Sequence, residues 1–201
     1  MAHESIQIIR DEHAALAAML RSLSLMVQRG PGDNPDQFFD VLRAMLFYID
    51  EFPERLHHPK ESDLLFPKVV RAAPHLMSSI ERLEKDHMSG EGAVRELQHH
   101  LLGWELLGES RREVFDTAAN AYVRFYLEHM QLEEKLILPE AEKCLSDKDW
   151  AELNAAFATN KDPLSGKYPR DPLYDRLFTR IVMNAPEPIG LGPSYQAAKA
   201  G

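Results

Sequence analysis

Four long stretches of this chain repeat apolar residues at spacings of three and four, and each carries a histidine within its apolar row. That period is the signature of one buried helix face. Ile6, Ile9, His13, Leu16, Leu20, Leu23 and Val27 mark the first stretch, which stops at the breaker-rich "RGPGDNPDQ". The second starts near Gln37, with Asp36 as its expected cap. It runs through Phe38, Leu42, Met45 and Ile49 to about Ala73. Pro53 and Pro59 interrupt it. Each removes a backbone donor and crowds the carbonyl four residues back, so a bent or broken helix is expected there. After Pro74, Ile80, His87, Val94 and Leu101 recur every seven residues, the period of a bundle seam. The fourth stretch runs from about Arg111 to Cys144 with an inward row of Phe115, Ala119, Tyr122, Tyr126, His129, Glu133 and Leu136.

No strand pattern competes with these helices. The expected fold is all-α, an antiparallel up-down-up-down four-helix bundle over residues 1–145. Residues 146–201 are expected to add a short fifth helix and a C-terminal extension that packs on the bundle. "SDKDWAELNAAFA" opens with Ser146, a capping residue, and gives the short helix. "KDPLSGKYPRDP" reads as loop. "LYDRLFTRIV" reads as an amphipathic helix that packs through Leu177, Phe178 and Ile181. "NAPEPIGLGPSYQAAKAG" reads as an extended tail.

Composition narrows the partners. The formal net charge is −9 with no Lys/Arg block, which argues against nucleic acid and anionic membrane. No window is apolar and long enough to span a bilayer, and the N-terminus lacks a signal-peptide hydrophobic region. Cys144 is the single cysteine, so an internal disulfide and a four-cysteine metal site are both excluded. A cytoplasmic protein is expected.

The chemistry is carried by His13, His57, His87 and His129, one on each row. Three of them have a glutamate four residues on: His57/Glu61, His87/Glu91 and His129/Glu133. Positions i and i+4 share a helix face, and roughly one such pair is expected by chance at this composition. A buried glutamate is costly unless it is paired or coordinates metal. Three pairs and a lone histidine facing one core call for a shared counter-charge, which a metal centre supplies. In "ERLHHPKESDLLFP", a wheel at about 100° per residue places Glu61 between His57 and His58. A carboxylate flanked by two imidazoles suits two adjacent metals, with Glu61 bridging. Imidazole and carboxylate donors without thiolate favour iron or manganese, with manganese or zinc as possible substitutes for iron. "ERLH" and "EKDH" also fit the Glu-x-x-His spacing of ferritin-type di-iron bundles. The plainer expectation for Tyr122, Tyr126 and the methionines Met19, Met26 and Met45 is packing. His99 and His100 read as a surface pair, His3 and His75 as terminal or loop residues.

"HHPKESDLLFP", "EKDHMSGE" and "YLEHMQLEEKLILP", with "DEH" on the first helix, resemble the signatures of the bacterial hemerythrin-like, or HHE cation-binding, proteins. The resemblance spans roughly residues 5–145. It implies a bundle around two Fe ions with an oxo, hydroxo or water bridge. It implies that His13 and His57 bind one iron, that His87 and His129 bind the other, and that Glu61 and Glu133 bridge. Where the oxygen-carrying members have a further histidine, this chain has Glu91. That departure leaves the second iron with either Glu91 or His58 as its extra ligand. It also argues against simple reversible oxygen carriage. The expected function is a non-haem di-iron protein that binds or senses a small oxidant or diatomic: O2, peroxide or NO. The alternatives are a di-iron enzyme for peroxide dismutation or NO reduction, and an iron-sensing regulatory module.

Overall fold

The computed structural model describes residues 3–165 and 172–193, so 166–171 of the expected loop over 161–172 and 194–201 of the expected tail over 184–201 lie outside the described residues. Among the described residues the chain is all-α, without a strand. Four antiparallel rods form the bundle. The first is α1 (Glu4–Arg29). The second is continuous over 35–72 and contains α2 (Pro35–Ile49), α3 (His58–Lys60) and α4 (Phe66–Ala72). The third is α5 (Met77–Leu107). The fourth contains α6 (Arg112–Leu132) and α7 (Leu138–Cys144). Each rod packs on the next, and the fourth closes on the first.

The second rod begins differently from the expectation. Asn34, not Asp36, is its cap: the Asn34 side chain accepts the Gln37 N–H, and Pro35 occupies the first turn. There the missing proline donor costs nothing. Nor do the interior prolines break the rod. Wide, π-type turns cover Asp50–His57, Glu61–Leu65 and Glu133–Ile137. Each ends two residues before a proline, at Pro59, Pro67 and Pro139. Widening the turn moves the preceding carbonyl away from the proline ring and shifts the hydrogen bond by one residue. Thus Phe66 N–H reaches Glu61 O, and Leu138 N–H reaches Glu133 O. The wide turn also changes register. Ile137 is fully buried while Leu136, expected inward, is exposed.

The interior has three layers. One apolar cluster includes Leu20, Leu42, Leu97 and Phe115, and a second includes Ile9, Phe66, Leu83 and Ile137. Between them every rod contributes buried polar residues: Glu12 and His13; Glu54, His57, His58 and Glu61; His87; His129 and Glu133. Beyond the bundle, α8 (Asp147–Phe157) is capped by Ser146 in a reciprocal box with Asp149 and lies on α1. Helix α9 (Asp175–Asn184) lies on α2, with Ile181 buried and Leu177 partly so.

Candidate metal centre

The wide turns place the two carboxylates. Glu61 and Glu133 each open such a turn, on the second and fourth rods, and both are fully buried. Glu61 Oε1 lies 3.2 Å from His57 Nε2, and its Oε2 lies 3.5 Å from His87 Nε2. Glu133 Oε2 lies 3.2 Å from His13 Nε2, and its Oε1 lies 3.3 Å from His129 Nε2. Each carboxylate therefore offers one oxygen to His13 and His57 and the other to His87 and His129. His58 joins the latter side, its ring stacked on His87 with centroids 4.3 Å apart. Donor atoms of His13, His57 and Glu61 lie within 4.8 Å of one another, as do those of His58, Glu61, His87 and His129.

The donors converge on shared points rather than on each other. All four carboxylate oxygens of Glu61 and Glu133, and His57 Nε2, are buried without an aligned hydrogen bond. Such groups cost free energy unless a charge satisfies them. With protons as the only cations, the balance is strained. His13 is pushed up to about 9, against the burial that would lower it, by Glu133 and Glu134. His57 is raised against burial in the same way by Glu61 and Glu12. Burial and the positive charge of neighbouring imidazoles depress His58 and His87. Burial and the charge on Glu133 push Glu61 up, whereas the neighbouring charges of His129 and His13 hold Glu133 low against burial. Bound metal would satisfy this donor set without splitting the imidazoles into charged and neutral classes.

The outer ring nitrogens are also arranged. His13 Nδ1 faces Glu134 at 3.1 Å, His57 Nδ1 faces Glu12 at 2.6 Å, and His58 Nδ1 faces Glu54 at 3.1 Å. His87 Nδ1 pairs with Ser62 Oγ at 2.9 Å, and His129 Nδ1 lies 3.5 Å from Asp86. At His13, His57, His58 and His87 an Nδ1 held outward leaves the Nε2 lone pair directed inward, as metal-binding imidazoles require, whereas His129 Nδ1 has no aligned hydrogen bond. Tyr122 and Tyr126 do more than pack. Both hydroxyls donate to Glu54 Oε1, that of Tyr122 at 2.9 Å. Burial and the Glu54 charge keep both phenols protonated. Tyr126 reaches Glu54 through space left by Gly90, where a Cβ would lie 1.7 Å from the hydroxyl oxygen.

Seven of the eight expected site residues come together: His13, His57, His58, Glu61, His87, His129 and Glu133. Glu91 does not. It is about half exposed and pairs with Arg95. The inward row of α5 passes through His87, Gly90 and Val94, and this turns position 91 to solvent. Sequence reasoning missed Glu12, Ser62, Asp86, Glu134 and Asn160, and marked Glu54 only through the Glu-x-x-His spacing of "ERLH". Glu12, Asp86 and Glu134 adjoin the expected ligands His13, His87 and Glu133, and that adjacency was the signal available for them.

The family model for the hemerythrin HHE cation-binding domain matches residues 4–141. The chain belongs to the hemerythrin HHE family. A Haemophilus influenzae protein described only as uncharacterized is 27% identical over 146 residues, covering 72% of this chain and 82% of its own. Within this HHE-family chain the matched region contains all seven converging residues and ends before α8. None of the helices among its described residues is long and apolar enough to cross a membrane.

Proposed function

We propose that this HHE-family chain is a non-haem di-iron protein that binds or senses a small oxidant or diatomic, O2, peroxide or NO. His13 and His57 would hold the first iron, His58, His87 and His129 would hold the second, and Glu61 and Glu133 would be shared between them. The observation that carries the reading is the pair of buried carboxylates, each directing one unbonded oxygen to each imidazole group. Donors limited to nitrogen and oxygen suit iron, with manganese or zinc as substitutes.

When bound, the irons supply Lewis-acid and one-electron chemistry toward the small ligand. The chain's own residues set the conditions. Glu12, Glu54 and Glu134 accept from imidazole Nδ1 atoms and make those rings stronger donors. That favours the oxidised metal and, without Glu91, replaces the reason for doubting simple oxygen carriage. The two apolar clusters exclude bulk water on both sides. The His13/His57 side would offer two imidazoles and the His58/His87/His129 side three.

Protein purified from iron-replete cells is expected to contain about two irons per chain and to show a near-ultraviolet charge-transfer band that responds to O2, peroxide or NO. Fully stable, metal-free protein from such cells would refute the reading.

A further inference from the structure

The chain beyond residue 141 lies outside the matched family region, yet part of it reaches the centre. Helix α8 is pinned to the start of α1. Asn154 Oδ1 accepts the Ser5 N–H at 2.8 Å, and Trp150 stacks on His3 with centroids 4.0 Å apart. At its end Phe157, fully buried, meets the His57 ring edge-on at 6.0 Å. The backbone then turns inward and buries two polar side chains, Asn160 and Asp162.

Asn160 is oriented from both sides. Its Oδ1 accepts from the Lys60 ammonium, which can only donate. Its Nδ2 is thereby directed to Glu12 Oε2, at 2.8 Å. The same oxygen receives His57 Nδ1 at 2.6 Å. Two donors on one oxygen fix the plane of the Glu12 carboxylate, hold the His57 proton on Nδ1 and leave Nε2 aimed at Glu61. Beside this chain of contacts, Leu16, Phe52, Leu56, His57, Asn160 and Asp162 help line a cavity of about 10 Å³ that also touches His13. That volume holds about one water-sized group. Asp162 is fixed on its lining by accepting the Tyr48 hydroxyl at 2.7 Å and the Leu164 N–H at 2.8 Å.

We propose that the segment after α8 is a working part of the centre: Asn160 positions His57 through Glu12, and residues 157–164 wall the chamber beside His13 and His57 so that ligands reach it slowly and only when small. This rests on the di-iron reading of the cluster. It assigns the role to a part of the chain that the family match does not include.

The test uses the full-length, iron-loaded protein. Asn160→Ala removes both contacts of the amide. Asn160→Asp keeps the shape and the Lys60 partner but sets a second carboxylate against Glu12, which covers the case in which the alanine variant fails to fold. Asn154→Ala, which loosens α8 from α1 away from the centre, is the control. Two rates are read: loss of iron to a ferrous chelator after reduction, and association of azide with the oxidised centre. Both Asn160 variants are expected to lose iron at least about tenfold faster, the size of effect typical for partners that orient metal ligands. Asn160→Ala is also expected to take up azide at least about tenfold faster, with Asn154→Ala within about twofold of wild type on both rates. Wild-type iron loss in the Asn160 variants would overturn the positioning role, and wild-type azide association in Asn160→Ala would overturn the wall. An equal acceleration in Asn154→Ala would reduce both to general loosening. Wild-type protein without iron would instead overturn the reading of the centre itself.

Discussion

The Nε2 nitrogens of His87 and His129, from the third and fourth rods, face each other across 3.1 Å in the middle of the bundle. Their Nδ1 atoms face Ser62 and Asp86. Two inner nitrogens this close, each presenting a lone pair, would be relieved by a cation between them. Removing one of them is expected to cost a metal. His129→Ala should hold no more than about one iron per chain instead of about two, by metal analysis of the purified variant. Chelation of the wild type should lower its thermal midpoint. At a metal concentration of about 100 times the dissociation constant, binding stabilises the fold by about 2.7 kcal/mol. For a chain of this size that is a midpoint shift of about 5–10 °C.

Glu91 and His58 exchange the roles that spacing alone left open. Glu91 sits in solvent against Arg95, and an exposed pair of this kind contributes less than about 1 kcal/mol. His58 is buried against His87, with Glu54 behind it. Glu91→Gln should therefore leave iron content and the charge-transfer spectrum at wild-type values. His58→Ala should lower iron occupancy and shift the band. Loss of iron in Glu91→Gln would show that α5 rotates on metal binding.

Two glycines on α5, two residues apart, make a matched pair. A Cβ at Gly90 would meet the Tyr126 hydroxyl oxygen at 1.7 Å, whereas one at Gly92 meets nothing within 4 Å. Gly90→Ala must displace a buried phenol that holds Glu54, and overpacking of this kind costs about 1–3 kcal/mol. Gly92→Ala gains helix propensity, about 0.5–1 kcal/mol. Urea denaturation should thus move the two midpoints in opposite directions, and only Gly90→Ala should perturb the spectrum of the iron-loaded protein.

The rows of apolar residues made the four rods and their polar middle layer legible, because a 3.6-residue period reports burial directly. His13, His57, His87 and His129 stood on those rows and are buried. What the rows could not carry was departure from the ideal period. Leu136 gave way to Ile137 because the turn opened by Glu133 is wide, and Glu91 turned outward because the α5 row runs through Gly90. The prolines signalled distortion, but as breaks rather than wide turns. Contacts between residues far apart in sequence left no local trace: Asn160 reaches Glu12 across 148 positions, and Tyr126 reaches Glu54 across 72. Asp36 lost the cap to Asn34 because Pro35 fits the first turn that follows Asn34.

Asp162 gives the wall a pH dependence that can be isolated. Burial, with the charge of Glu12, pushes its carboxyl up to about 6 from an ordinary 3.8, against the Tyr48 hydroxyl and the Leu164 N–H that favour the ionised form. The fold therefore prefers the neutral acid. The unfolded chain releases this proton near pH 4 and the folded chain near pH 6. The stability associated with the group is full below about pH 4 and is lost as pH rises through about 6. The rise from 3.8 to about 6 corresponds to at most about 3 kcal/mol. Asp162→Asn keeps a neutral side chain at every pH. In metal-free protein, where acid-driven metal release cannot contribute, the unfolding free energy of the variant relative to wild type should rise by about 2–3 kcal/mol between pH 4 and pH 7 and then level off. Urea denaturation at pH 4, 5, 6 and 7 measures it, and parallel curves for the two proteins would show that Asp162 ionises in the fold as it does in water.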